Sequence, residues 1–188
     1  MSIFDGLQNM TGNEGERKNG AAKPEGTFTF TFAALPESLD EMKALPEATL
    51  DSPYKTAALT VCALCAYAAA PEIGKEMLNF LKGPETLSAY EQQFLRDRFS
   101  EGKTYVPFSY WKGAVPGNDY KPDVPFTVTI ESNVYTYQSE GYATLWLTSG
   151  GADSKRQVKM RSKGDQWFLW EQFLLVDIRK PASADPWA

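Results

Sequence analysis

Residues 52–70, SPYKTAALTVCALCAYAAA, constrain the fold more than any other stretch of the chain. The sequence marks both ends of a helix there. Asp51 or Ser52 can accept from the first free backbone N–H groups, and Pro53 falls where a missing N–H costs nothing. Pro71 either stops the helix or starts the next one. Thr60 interrupts an otherwise apolar run, and its hydroxyl can bond a carbonyl one turn back. A helix that is apolar on every side needs cover on every side. The run is shorter than the roughly 20 apolar residues a bilayer span requires. It is therefore expected to be the central helix of a soluble domain, with small alanine faces that let neighbours approach closely.

The rest of the chain is consistent with one packed domain around that helix. It has 188 residues, of which 43% are hydrophobic and 13% aromatic, which excludes disorder of the whole chain. A net charge of −5 argues against a nucleic-acid partner held by overall charge. The first residues, MSIFDGLQNM, carry no basic stretch and no long apolar core, and no later run is long enough to span a membrane. A cytoplasmic protein is the expectation.

Cysteine and histidine usage narrows the chemistry. Cys62 and Cys65 form a C-x-x-C, which reads either as a redox pair or half a zinc site, or as two small core residues. Their spacing places both on one face in mid-helix, with no cation beside them to stabilise a thiolate. No second cysteine pair exists, so the core reading is preferred and no metal is expected. The chain contains no histidine, which removes Ser-His-Asp and Cys-His catalysis and every histidine-ligated metal site. No phosphate-cradling glycine loop follows a strand and opens a helix, and no cofactor is expected.

Taken in order, residues 1–25 begin with Ile3, Phe4, Leu7 and Met10 at helical spacing. They continue as a Gly-rich, charged stretch read as a flexible linker. Residues 26–188 form the domain. Residues 27–32 alternate strictly, phenylalanines on one face and threonines on the other, which is a strand with one buried face. Ser38 with Glu41, and Ser88 with Glu91, form capping boxes for two further helices, and residues 72–81 form an amphipathic helix between them. Tyr90, Phe94 and Leu95 are spaced to face inward. Residues 103–125 hold five aromatics among four prolines, a loop that either wraps the core or presents rings to a ligand. From Phe126 the pattern is strands: 126–132, 134–138 continuing or pairing with it, 142–149, 155–162 and 167–178. The last is apolar on both faces. It is expected to be covered on both, by the chain itself or by a second subunit, so a homo-oligomer through that face is one expectation.

Several residues are candidates for chemistry. Lys155, Lys159, Arg161 and Lys163 lie on one face of an extended strand, Arg156 adds a fifth cation, and no acid occurs from 154 to 164. Such a face can hold a phosphate, a carboxylate or an acidic partner surface, or it can simply keep an edge strand from pairing. In the aromatic loop, Tyr110 and Trp111 are candidate contact residues. A histidine-free enzyme would instead need at least two of Glu171, Asp97, Tyr105, Tyr110 and Lys112 to converge in a pocket. Asp97 and Glu101 share a helix face and could do acid–base work, but with Arg96 and Arg98 alternating they are explained more simply as a solvated face, and Glu171, if buried, would pair with the basic strand before it. Asp185-Pro186-Trp187 reads as a docking peptide or as a terminal tryptophan folded back on the domain.

The segments FTFTFAALPESL, SPYKTAALTVCALCAYA, MLNFLKGP, FLRDRF, YVPFSYWKGA, SGGADSKRQVKMRSKG, QWFLWEQFLLVDIRKP and ADPWA, in that order, resemble an uncharacterised bacterial family of unknown function across about residues 26–188. The resemblance implies a bacterial, mostly single-domain protein with an appended N-terminal segment, and brings no activity or site residue. The expected fold is α+β: an N-terminal strand, a central helical block, and a C-terminal antiparallel β-meander with helices packed on one sheet face. The expected function is non-catalytic binding of an unknown protein or a small anionic ligand, with the enzyme as the alternative.

Overall fold

The capping residues act as their positions require. Ser52 accepts from the Lys55 backbone N–H at 3.3 Å and opens a helix over Pro53–Ala69, and the Thr60 hydroxyl donates to the Thr56 carbonyl at 2.8 Å. In the computed structural model, which describes residues 25–188, this is the second of four α-helices. They are α1 (Leu39–Lys43), α2 (Pro53–Ala69), α3 (Pro71–Lys82) and α4 (Ala89–Phe99). Five strands, β1 (Gly26–Phe32), β2 (Phe126–Ser132), β3 (Tyr142–Leu147), β4 (Arg156–Lys163) and β5 (Gln166–Gln172), form one antiparallel sheet in the order of the sequence. The protein is α+β, with an N-terminal strand, a helical block and a C-terminal meander. The N-terminal segment expected over residues 1–25, with Ile3, Phe4, Leu7 and Met10, lies outside the described residues but for Glu25.

α2 packs against all five strands, α3 and a 3-10 segment over Lys103–Tyr110. Its side chains are buried almost around the full circumference, which is why its sequence carries no polar stripe. Gly74 in α3 allows the closest approach: a Cβ there would stand 2.3 Å from the Tyr67 Cα of α2. The sheet face toward α2 carries Val128, Ile130, Ala143, Leu145, Leu147, Val158 and Met160, each no more than 1% exposed. The other face carries the alternate residues, including threonine pairs between β1 and β2 at 3.3 and 3.5 Å.

Four expectations need correction. Residues 134–138 form no strand; they are a turn in which Asn133 accepts from the Tyr135 N–H through Oδ1 and the Thr136 hydroxyl accepts from the Asn133 N–H. Tyr90 does not face inward but is 79% exposed. The last strand ends at Gln172 rather than 178, and Leu174, Leu175 and Ile178 turn into the core from a loop. The doubly apolar pattern is therefore confined to residues 167–170 of the strand, where Trp167 and Leu169 face the helices and Phe168 and Trp170 face away. Finally, the proline-rich stretch is not irregular throughout. Lys103–Tyr110 winds as 3-10 helix with Pro107 inside it, and it packs against α2.

Candidate functional site

The site is built on the outer face of β4 and β5. Alternation along β4 sends Val158 and Met160 inward and Lys159, Arg161 and Lys163 outward. Cross-strand register then sets their neighbours. Arg161 stands opposite Tyr142 on β3 and Phe168 on β5, and Lys159 stands opposite Thr144 and Glu171. The Arg161 guanidinium lies 4.7 Å from the Trp170 ring centroid and 5.7 Å from that of Tyr142, and the Lys159 ammonium lies 5.0 Å from Tyr142. Tyr142 and Trp170 meet edge to face at 5.7 Å. Each such cation–ring contact at an exposed site contributes about 0.5–1 kcal/mol, enough to bias the orientation of the charged group without neutralising it. Among the described residues, no carboxylate lies within 4 Å of the Lys159, Arg161 or Lys163 cations.

Trp170 reaches that face by ordinary alternation, one residue after inward Leu169, and the ladder breaks beside it. Lys159 pairs with Glu171 and Met160 with Leu169, so Trp170 has no opposite number and the strand bulges there. Leu169 points to the core while Trp170 joins Arg161 outside. At the sheet edge the α3–α4 connection closes against the same hairpin. Gly83, at φ 69°, lies so near Phe168 that a Cβ would touch its ring at 2.4 Å. A cleft of about 380 Å³ results, lined by Lys82, Pro84, Glu85, Arg161, Lys163 and Trp170, among others. Its Lys82 side chain is only 9% exposed and donates to Glu91 Oε1 at 2.7 Å and, more weakly, to the Trp170 carbonyl at 3.5 Å.

The four-cation face expected from sequence is thus narrower than the sequence alone suggests. Lys155 is tied to Glu131 at 2.8 Å. Arg156 is spent on structure, donating to the Val176 and Asp177 carbonyls at 2.9 and 3.0 Å and so pinning the loop after β5. Tyr110 and Trp111 are not surface contacts: they are 4% and 2% exposed, Tyr110 donates to the Leu174 carbonyl, and Trp111 donates to Cys65 Sγ at 3.2 Å. Of the two readings of the aromatic loop, the packing supports wrapping. Burial pushes the Tyr110 phenol well above its ordinary value.

The groups named for an enzyme are dispersed. Asp97 accepts from the Gln93 side chain on α4 at 2.7 Å, Tyr105 stacks on Tyr120 at 5.4 Å, and Tyr110 is in the core. Glu171 is exposed, so the buried ion pair expected of it does not arise. Cys62 and Cys65 are free thiols inside α2. Burial pushes Cys65 up to about 12 and raises Cys62 as well, which holds both as unreactive thiols. Trp187 is 93% exposed and does not fold back on the domain.

Sequence reasoning missed Tyr142, Trp170 and Lys82 as site residues. Trp170 shares its face with Phe168 by plain alternation, a signal open to the sequence, whereas Tyr142 joins the site only through strand register and Lys82 only through the turn at Gly83, neither of which leaves a periodic signal. A family model described as a domain of unknown function (DUF6935) matches residues 34–182. Comparison with curated proteins and with solved structures finds no match.

Proposed function

We propose that this chain, which belongs to the DUF6935 family, is a non-catalytic binding protein that holds an anionic group of its ligand or partner against the outer face of β4 and β5. One observation carries this reading: Arg161 is steadied over Tyr142 and Trp170 yet has no carboxylate of its own within ion-pair distance. A guanidinium fixed in this way keeps its fork of N–H donors for a carboxylate or phosphate. Lys159 and Lys163 on the same face, and Lys82 beside it, add positive charge. Nucleic acid is not part of the reading, because the chain is acidic overall, at −5. A bacterial, cytoplasmic setting is part of it, and two unbridged core thiols fit a reducing compartment. No helix among the described residues is long and apolar enough to cross a membrane.

The test is a thermal-shift screen against inorganic phosphate, citrate and a poly-glutamate peptide, at low and high salt. The expected result is a stabilising shift that shrinks with salt and disappears in a Lys159→Glu/Arg161→Glu variant. No shift with any of the three anions would overturn the reading.

A further inference from the structure

The basic cleft does not end at Trp170. It opens into a second groove of about 510 Å³ between α4 and β5, and the two share Lys82, Glu85, Leu169 and Trp170. The floor of this groove is apolar: Leu64, Leu78 and Leu169 are 0, 2 and 4% exposed. Phe94 and Phe173 stand at its sides, and Phe173 is 47% exposed. The pair of grooves is thus polar at one end and apolar along the other, within the size range of small-molecule sites.

Lys82 sits where the two meet, and its surroundings are built rather than incidental. Its ammonium has three donors, of which one meets Glu91 and one the distant Trp170 carbonyl. Glu91 is in turn fixed by its other oxygen, which accepts from the Ser88 N–H at 2.7 Å in the capping box of α4. The remaining donor of a side chain that is 9% exposed is therefore held at the junction, on the same side as Arg161. Three acidic groups line the grooves: Glu85 lines both, while Glu91, paired with Lys82, and Glu171, which faces Lys159 in register, line the α4–β5 groove. The end under Arg161 and Lys163 stays cationic.

From this juxtaposition we infer that the α4–β5 groove binds a small single-chain amphiphile with an anionic head, its chain between Phe94 and Phe173 above the leucine floor and its head between Lys82 and Arg161. The inference rests on the anion-binding reading above and adds the apolar half of the ligand. Charge selects the head: a cationic one would face Arg161, Lys163 and Lys82 at close range. Burial selects the chain, since each methylene covered on the leucine floor adds to affinity where a hydrated group would not.

Isothermal titration of the full chain with decanoate, acetate and decanol distinguishes the parts, using Arg161→Glu and Phe173→Glu, both at exposed positions. Decanoate is expected to bind at least roughly tenfold tighter than acetate, and each substitution to weaken it by roughly tenfold. Equal affinity for acetate and decanoate would overturn the groove assignment while leaving the anion site in place. Decanol binding as tightly as decanoate, or unchanged affinity in both variants, would overturn it too. Failure of acetate, phosphate and decanoate alike would remove the anion site with it. A parallel titration with phosphatidylglycerol vesicles separates the sources of such a chain: binding to vesicles without binding to free decanoate overturns a small-molecule site and points to a lipid surface.

Discussion

Arg161 illustrates how much of a site a single position can decide. Its direction follows from period-two alternation, which the sequence displays openly, because Val158 and Met160 are apolar and their neighbours are not. Its partners do not follow, because register between β3 and β4 is set by the geometry of the turn that joins them, which alternation does not reveal. Arg161→Lys keeps the charge but loses the planar stack on Trp170 and Tyr142, so anion affinity is expected to fall by roughly threefold to tenfold, as measured by titration with phosphate. Gly74 is the contrasting case, a residue whose importance is purely steric. Gly74→Ala would press a methyl into the α2 backbone at Tyr67 and is expected to cost about 1–3 kcal/mol in denaturant unfolding. Nothing in the helical period of α3 distinguishes that glycine. Only the contact does.

Among the elements, α4 owes more to its cap than to its face. It packs chiefly on the 3-10 segment at Lys103–Tyr110, and Leu95 is its only fully buried side chain. Ser88→Ala is expected to destabilise by about 1 kcal/mol in thermal unfolding, most visibly in this helix. The cap also makes it pH-dependent. Burial pushes the Glu91 carboxyl up, but the Lys82 ammonium and the Ser88 donors outweigh that and hold it below its usual value of 4.5. A folded-state pKa below the unfolded one stabilises the protein above the unfolded value, and that contribution is lost as pH falls below it. The difference in melting temperature between the wild type and Glu91→Gln should therefore narrow from about pH 6 to pH 3. The α4 capping box was legible from four-residue spacing; at α1 only half of the expected box forms, since Ser38 accepts from the Glu41 N–H while the Glu41 carboxylate accepts from the Glu37 N–H instead. The end of β5 was not legible, because alternation runs on through Phe173–Leu175 in a segment that has already left the sheet, although the Phe173 N–H still donates to Gln157.

For the molecule as a whole, the central helix was the most legible feature because its composition admits one environment only. The switch from period 3.6 to period 2 after the aromatic stretch likewise marked out an α+β chain. What stayed hidden is everything that depends on how far one element stands from another, above all the groove left between α4 and β5. This layering predicts an order of local stability. Amides of α2, packed against every strand, should exchange with deuterium at rates near those of global unfolding, and those of α4 much faster. Equal protection of the two helices would mean that α4 is held by something other than the contacts described.

The bulge at Trp170 can be viewed as a phase slip in a wave. Before it, odd-numbered residues of β5 face the helices; after it, odd-numbered Glu171 faces away. One surplus residue thus resets the strand's parity without disturbing the pairs on either side, Lys159 with Glu171 and Met160 with Leu169. Deleting Trp170 should for that reason be milder than deleting any neighbour. It would leave a continuous ladder, still folded, with the guanidinium of Arg161 stripped of its larger ring, so the strand carries its binding residue as a removable insertion in the ladder.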